Sequence, residues 1–128
     1  MENRNPTTAV TNLLKAEQAT QLAICIAALY YQPIQLSWYW WPILFLLPDV
    51  SMVGYFINTR VGAICYNIAH HKAVAGLCIA LGFYLHVPVL LLTGLILYAH
   101  SSFDRILGYG LKYPDSFQHT HLGMIGKK

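Results

Sequence analysis

Four long apolar segments run through this chain and are separated by short polar connections. Hydrophobic residues dominate positions 13–31, 38–57, 61–85 and 88–107. Each segment approaches the roughly 20 apolar residues that a helix needs to cross a bilayer. Short connections make neighbouring helices antiparallel. The pattern therefore predicts an all-α membrane protein, an antiparallel bundle of four transmembrane helices that forms a single domain over residues 1–128.

The composition supports this fold class. Of the 128 residues 56% are hydrophobic and 10% are charged, whereas an ordinary soluble domain carries about 25% charged residues. So apolar a chain is not disordered, and its natural partner is the lipid bilayer. The net charge of +3 comes from scattered basic residues, so no nucleic-acid partner is expected. A homo-oligomer is one arrangement that the sequence leaves open.

The basic residues predict an orientation. With four spans, both termini lie on one side of the membrane, and the connection at 32–37 on the other side has no Lys or Arg. By the positive-inside rule the basic side faces the cytoplasm. We therefore expect a multi-pass protein of the inner (plasma) membrane with cytoplasmic termini and a cytoplasmic tail at 108–128. Seven of the eight basic residues fall on that side: Arg4, Lys15, Arg60, Arg105, Lys112, Lys127 and Lys128.

Ionisable side chains inside the apolar segments are the most informative feature of the sequence. Each costs ~2.5–3.5 kcal/mol at bilayer depth, so such a residue usually faces a bundle interior and has a function. A rise of 1.5 Å per residue places five of them in one layer, about 5–13 Å from the cytoplasmic ends of the segments. His100 and Asp104 are four residues apart and share one helix face. The layer contains Glu17, Asp49, His70, His100 and Asp104.

Carboxylates and imidazoles from several helices are the ingredients of a metal site in a bundle. This mixture suits Zn, Mn or Fe, and the spacing leaves open one ion or two. We predict Asp49, His70, His100 and Asp104 as ligands of a divalent metal. Two further residues are predicted to be catalytic, namely Glu17 as a further ligand or general base and Arg105 as the residue that holds an anionic headgroup. Secondary or lid positions are Tyr66, Asn67, Tyr109, Lys112 and His121, and Lys112 is the alternative to Arg105.

A resemblance to a known family rests on four stretches: PDVSMVGYFIN at 48–58, RVGAICYNIAHH at 60–71, AHSSFDRILGYGLKY at 99–113 and THLGMIGK at 120–127. They resemble the bacterial integral-membrane family known as domain of unknown function 4260. The resemblance implies a multi-span membrane protein and implies nothing about activity. The family pattern includes the predicted site residues, but His71 and His119 fall outside it. Whether the third segment breaks near His71 stays open.

Three functions are compatible with these features. The first is a membrane-embedded metal-dependent enzyme, in our preferred form a hydrolase, that acts on a lipid-like or small hydrophobic substrate. The second is a small proton or ion transporter in which the polar layer relays protons. The third is a non-catalytic membrane interaction subunit, in which small residues such as Gly76, Ala80 and Gly82 provide tight helix contacts. Because the outer half of the bundle has few polar residues, the sequence favours a one-sided pocket and therefore the enzyme.

Overall fold

The computed structural model describes residues 6–126, and this part of the chain is mostly helical. Arg4, Lys127 and Lys128, which contribute to the predicted orientation, lie outside the described residues. A 3₁₀ helix, Leu47–Phe56, continues directly from the second of five α-helices. The α-helices are α1 (Thr8–Tyr31), α2 (Trp40–Leu46), α3 (Thr59–His70), α4 (Lys72–Tyr84) and α5 (Pro88–Leu107), and a short hairpin of β1 (His119–Thr120) and β2 (Gly123–Met124) follows.

Helix α5 is the centre of the fold. It packs along α4 and α1 and also touches α2 and α3, while α3 packs mainly against the 3₁₀ helix. Its buried residues include Leu92, Leu95, Ile96 and Ala99. Only three residues, 85–87, connect α4 to α5, so these two helices lie side by side and antiparallel. The other elements therefore surround the helix that carries His100 and Asp104.

Local sequence explains where the helices begin and end. The Asn58 side chain accepts a hydrogen bond from the Val61 amide at 2.8 Å and caps the start of α3, as an N-cap residue does. Pro88 is in the first turn of α5, where its missing N–H removes no helical hydrogen bond. Gly108 ends α5 with a φ of +93°, a left-handed conformation that favours glycine. The chain consequently turns back toward the core immediately after Leu107.

The third apolar segment, 61–85, is broken at His71. The backbone there is extended, with φ −87° and ψ 118°, and α3 and α4 meet at a bend of 42°. The His71 side chain accepts a hydrogen bond from the Ala73 amide at 3.1 Å, so it caps α4 and stabilises the new helix start. The break places His70 at the last residue of α3, where its imidazole is buried.

The helical fold class is confirmed, whereas the predicted bundle of four spans is not. Within residues 6–126, α5 is long and apolar enough to cross a membrane, and α3 with α4 makes a second candidate if the bent pair counts as one span. The segment 38–57 changes from α to 3₁₀ geometry near Pro48, a residue that cannot donate a backbone hydrogen bond. Helix α1 is long, but its first half carries Lys15, Glu17 and Gln18.

Candidate metal centre

Four side chains from three elements converge in the interior beside α5. Asp49 lies in the first turn of the 3₁₀ helix, His70 ends α3, and His100 and Asp104 lie four residues apart on α5. Each offers one ligand-type atom, and these atoms all lie within 4.8 Å of one another. His70 and His100 are 3% and 2% exposed. We refer to Asp49, His70, His100 and Asp104 as the His/Asp cluster.

The four distances between a histidine and an aspartate of the cluster are similar, and all of its ligand atoms lie within 4.8 Å of one another. His70 Nε2 lies 3.5 Å from Asp49 Oδ1 and 3.4 Å from Asp104 Oδ2. His100 Nε2 lies 3.2 Å and 3.6 Å from the same two oxygens. In a tetrahedral site with bonds of about 2.0–2.1 Å to nitrogen and oxygen, the ligand atoms are about 3.3–3.4 Å apart. The four residues therefore fit one tetrahedral divalent ion such as Zn²⁺.

Both imidazoles are oriented by backbone carbonyl groups. His70 Nδ1 lies 2.8 Å from the Tyr66 carbonyl oxygen, and His100 Nδ1 lies 2.6 Å from the Phe45 carbonyl oxygen. A carbonyl oxygen can only accept, so each Nδ1 carries a proton and donates it. In the neutral rings each Nε2 atom then carries a lone pair, and this lone pair faces two carboxylates. Metal-binding histidines show this arrangement, in which the outer ring N–H donates to a carbonyl and fixes the tautomer.

The buried His70 Nε2 atom has no hydrogen-bond partner among the described residues. A buried polar atom without a partner is rare in native proteins, and a bound ion or water molecule is a common cause. A lone pair surrounded by carboxylate oxygens is stabilised only by a positive charge between them, which either a metal ion or an added proton supplies. Both alternatives keep a proton on each Nδ1, and the set of two imidazoles and two carboxylates is one that divalent metal ions bind.

Tyr66 supports two members of the cluster. Its hydroxyl donates to Asp104 Oδ2 at 3.0 Å, and its ring stacks on the His70 imidazole with centroids 3.7 Å apart and planes 8° apart. Its carbonyl also accepts the hydrogen bond from His70 Nδ1. Tyr66, predicted as a secondary site residue, therefore positions both His70 and Asp104.

The two residues predicted to be catalytic differ in their location. Glu17 is exposed on α1, where its carboxylate accepts a hydrogen bond from Gln21 Nε2 at 3.3 Å, and it is not part of the cluster. Arg105 is half-buried and lines a narrow crevice together with His70 and Asp104. The structure brings Arg105 to the cluster and leaves Glu17 on the surface of α1.

The tail packs back onto α3 beside the cluster. The Asn67 side chain donates to the Lys112 carbonyl at 2.8 Å and accepts from the Lys112 amide at 2.7 Å. The Lys112 ammonium donates to the Phe117 carbonyl at 2.9 Å and lies 5.0 Å above the Tyr66 ring. Burial lowers the pKa of Lys112, and the nearby carboxylates oppose this shift. The predicted secondary residues Asn67 and Lys112 therefore hold the tail in place.

Two other tail residues predicted as a lid lie at the same turn. Tyr109 lines the crevice with Arg105. His121 Nδ1 accepts a hydrogen bond from the Leu111 amide at 2.8 Å. The fit is close, since a Cβ on Gly110 would lie 2.6 Å from the His121 ring. Within the tail, a hydrogen bond from His119 holds the pKa of Asp115 below its ordinary value.

Acidification is expected to loosen this turn. Partial burial and the nearby Arg105 charge lower the pKa of His121 from its ordinary value of 6.5. An undocked tail therefore binds the proton more readily than the docked tail does. Neutral His121 therefore stabilises the docked tail fully above about pH 6.5, and this stabilisation decreases as the pH falls through the lowered pKa of His121. Hydrogen exchange at the Leu111 amide, corrected for intrinsic rate between pH 8 and pH 5, measures the effect. The same pH dependence in His121→Gln would contradict this assignment.

One contribution to the site is absent from the sequence prediction, and a further buried polar group lies on the same 3₁₀ helix as Asp49. Phe45 orients His100 through its backbone carbonyl, and a backbone contact leaves no signal in residue type. The Tyr55 hydroxyl is buried without a hydrogen-bond partner among the described residues. Its ring packs on Gly62, where a Cβ would lie 2.3 Å from the ring. A glycine on α3 facing an aromatic residue of the preceding segment is the signal that could have found Tyr55.

Fold and site together define a mostly helical protein with a buried cluster of two histidines and two aspartates. The chain belongs to the family described as domain of unknown function DUF4260, which matches residues 11–125. All four cluster residues lie inside the matched range, and the match confirms the family seen in the sequence, though not its bacterial origin or membrane nature. No curated protein and no solved structure matches the chain. The function must therefore be argued from the site itself.

Proposed function

We propose that the His/Asp cluster binds one divalent metal ion and that the protein is a membrane-embedded, metal-dependent hydrolase for a lipid-like or small hydrophobic substrate. One observation carries the proposal. Two buried imidazoles donate Nδ1–H to backbone carbonyls and direct Nε2 at two carboxylates 3.2–3.6 Å away. Mixed imidazole and carboxylate ligands suit Zn, Mn or Fe.

When bound, a divalent ion polarises a substrate oxygen and makes a water molecule more acidic. The chain's own residues have separate tasks in this proposal. His70, His100 and Asp104 hold the site, and their burial excludes bulk water. Asp49 is the most accessible member, with a side chain 35% exposed. Its Oδ1 atom faces both histidines. A catalytic ion keeps one position open to water, so Asp49 would yield its place at the ion to water, and its carboxylate would accept the proton of that water.

The exposed apolar surface supports the membrane environment. Large hydrophobic residues such as Phe56, Phe83 and Val89 are 92%, 75% and 65% exposed, which is unusual for a soluble monomer. Helix α2 and the 3₁₀ helix together extend about 30 Å, close to the thickness of the hydrocarbon core. We therefore retain four membrane crossings in the inner membrane, with both termini cytoplasmic, as part of the proposal. A homo-oligomer is compatible with this surface.

Transport is the weaker alternative. A proton or ion transporter needs polar groups that lead from the cluster to both membrane faces. The cavity between the cluster and the 32–37 connection is lined mainly by apolar side chains, including Leu29, Leu36 and Phe45. This lining favours a one-sided site and therefore an enzyme. Metal content distinguishes the enzyme from an interaction subunit, in which the cluster has a purely structural role.

Purified wild-type protein in detergent is expected to contain about one equivalent of divalent metal, since four ligand atoms complete one tetrahedral site. His100→Ala removes a ligand and is expected to retain almost none. Elemental analysis of both proteins, purified without added metal and then after incubation with Zn²⁺, measures the difference.

His119→Ala is the matched control, because His119 pairs with Asp115 in the tail and lies outside the cluster. This variant should keep the wild-type metal content. Size-exclusion profiles and helical circular dichroism establish that the variants are folded. Wild-type protein without stoichiometric metal in either preparation would overturn the metalloenzyme proposal. Equal metal in wild type and His100→Ala would place the metal elsewhere.

A further inference from the structure

A large apolar cavity lies between α1, α2 and α5. Its volume is about 910 Å³, within the range of small-molecule binding pockets, which are about 300–1,000 Å³ and mostly apolar. Ile26 and Leu29 of α1 form one wall, and Ala99 and Phe103 of α5 form another. The cavity extends toward Gln32 and the connection that follows α1.

One residue, Phe45, contacts both the cavity and the His/Asp cluster. Phe45 lines it, while the carbonyl of the same residue accepts the hydrogen bond from His100 Nδ1. The Phe45 ring lies 5.3 Å from the His100 ring and 5.5 Å from the Phe103 ring, measured between centroids. A molecule in the cavity is therefore separated from His100 by Phe45 alone on this side.

A cationic residue lies on the other side of the cluster. Arg105 lines the narrow crevice with Asp104, His70 and Tyr109. Among residues 6–126 no carboxylate lies within 4.0 Å of its guanidinium group, although the cluster contains two. A half-buried guanidinium without a carboxylate partner is suited to bind an oxyanion, because its N–H groups match two oxygens at once.

The order of these features around α5 is fixed by helix geometry. Successive residues are about 100° apart, so Ala99 and Phe103 face the cavity and His100 and Asp104 follow on the next face. Arg105 lies further around in the same direction, beside the crevice. The cluster therefore lies between an apolar compartment and a cationic one.

We infer that the site binds a single-chain amphiphile whose alkyl chain occupies the cavity and whose oxyanion headgroup pairs with Arg105. This inference rests on the proposed function and names the substrate class of the same site. Because the Phe45 side chain lies between the cavity and His100, the junction between chain and headgroup would reach the His/Asp cluster only when that side chain turns aside. A phosphate and a carboxylate headgroup share the required chemistry.

Photo-crosslinking tests the inference in phosphatidylcholine nanodiscs. The probe is dodecyl phosphate with a diazirine at the end of its chain, and the competitors are dodecyl phosphate, dodecanoate and dodecyltrimethylammonium. We expect mass spectrometry to find the label on cavity residues of α1, α2 and α5. Both anions should suppress labelling and the cation should not. The stronger anionic competitor then identifies the headgroup.

Matched variants test the apolar cavity and the Arg105 contact separately. Ile26→Trp fills the cavity and is expected to reduce labelling about tenfold, as loss of pocket space does. Ile24→Trp, on the same helix but outside the cavity lining, should label normally. Arg105→Gln should still label but should lose the preference for anionic competitors. Arg60→Gln, at the exposed start of α3, should keep that preference.

The outcomes distinguish this inference from the metal proposal, because metal content is measured on the same samples. Metal-loaded protein labelled only on outward-facing residues such as Val89 would overturn the amphiphile site and leave the metal site intact. Cavity labelling with anionic preference in protein that never holds metal would support the amphiphile site and overturn the hydrolase. Unchanged preference in Arg105→Gln would overturn the assignment of the headgroup to Arg105.

Discussion

The double variant Asp49→Asn, Asp104→Asn is expected to lose divalent-cation binding and to unfold at a higher temperature than metal-stripped wild-type protein. In the stripped wild type, two carboxylates face two imidazole lone pairs at 3.2–3.6 Å. An asparagine amide instead donates N–H to a lone pair and carries no charge. At position 104 the same oxygen, Asp104 Oδ2, accepts the hydrogen bond from Tyr66 and faces both histidines, so an asparagine there keeps the Tyr66 contact with its oxygen or donates to a histidine with its nitrogen. The substitutions therefore remove electrostatic repulsion and add a hydrogen bond at position 49.

Thermal unfolding with Zn²⁺ and with chelator measures this effect. A ligand that binds only the folded state adds about 4 kcal/mol at a thousand times its Kd. The wild type should consequently show a large upward shift of Tm when metal is added. The double variant should show none, and its Tm should lie between the two wild-type values. Asp115→Asn is the matched control, because Asp115 is exposed and, among residues 6–126, pairs only with His119. It should respond to metal as the wild type does.

The sign of the change distinguishes the metal site from a proton-based cluster. If the two imidazoles were protonated, they would form buried ion pairs with the two aspartates. Removing one partner of a buried ion pair typically costs ~3–5 kcal/mol. The double variant would then be less stable than stripped wild type near neutral pH. That result, with no metal-dependent shift in the wild type, would contradict the metal site and favour a structural or proton-relay cluster.

The four members of the cluster could be predicted because two independent patterns pointed to them. His100 and Asp104 lie on one long helix whose bounds, Pro88–Leu107, coincide with the predicted segment at 88–107. Asp49 and His70 are ionisable residues at matching depth in two other segments. Glu17 satisfied the same depth criterion, yet α1 is rotated so that Glu17 is exposed and near Gln21. Apolar residues occur on every side of α1, so its sequence does not fix that rotation.

The breaks in the second and third segments were harder to predict. The polar run His70–His71–Lys72 interrupts the third segment, but the change in direction depends on a backbone conformation that the His71 side chain stabilises by capping α4. The 3₁₀ geometry of Leu47–Phe56 begins near Pro48, but residue type gave no signal that it continues to Phe56, where the helix packs against α3. Tail docking was predicted in outline, because Tyr109, Lys112 and His121 were predicted as secondary or lid positions. Its main contact, the paired hydrogen bonds between Asn67 and Lys112, depends on tertiary structure alone.

The contacts of small residues also could not be predicted from the sequence alone. Gly76 and Gly82 were both predicted to suit tight helix contacts, but the structure separates them. A Cβ on Gly82 would lie 2.4 Å from the Leu91 nitrogen, whereas a Cβ on Gly76 would meet no atom within 4 Å. Gly94, which the prediction omitted, also lies at a close approach of α5 to α4. The rotation of a helix about its own axis decides which of its glycines face a neighbouring helix, and residue spacing alone does not determine that rotation.

Gly94→Ala is expected to destabilise the protein, and Gly76→Ala is expected to stabilise it slightly. A Cβ on Gly94 would lie 2.6 Å from the Ile79 nitrogen and 2.8 Å from the Ala75 oxygen. These are backbone atoms of α4, so the two helices must separate. Overpacking of this kind costs typically 1–3 kcal/mol and occasionally more, on the order of several degrees in Tm. Gly76→Ala adds the same methyl group in open space and gains roughly 0.5–1 kcal/mol of helix propensity.

Chemical denaturation of both variants in the same detergent measures the two free energies of unfolding. The Gly94→Ala variant should also bind metal more weakly, because His100 lies about 9 Å further along the displaced helix. The cluster tolerates little movement, since its atoms lie 3.2–3.6 Å apart across three elements. Equal stability of the two variants would show that α4 and α5 do not meet at Gly94. Lower stability with unchanged metal affinity would show that packing at Gly94 does not control the geometry of the site.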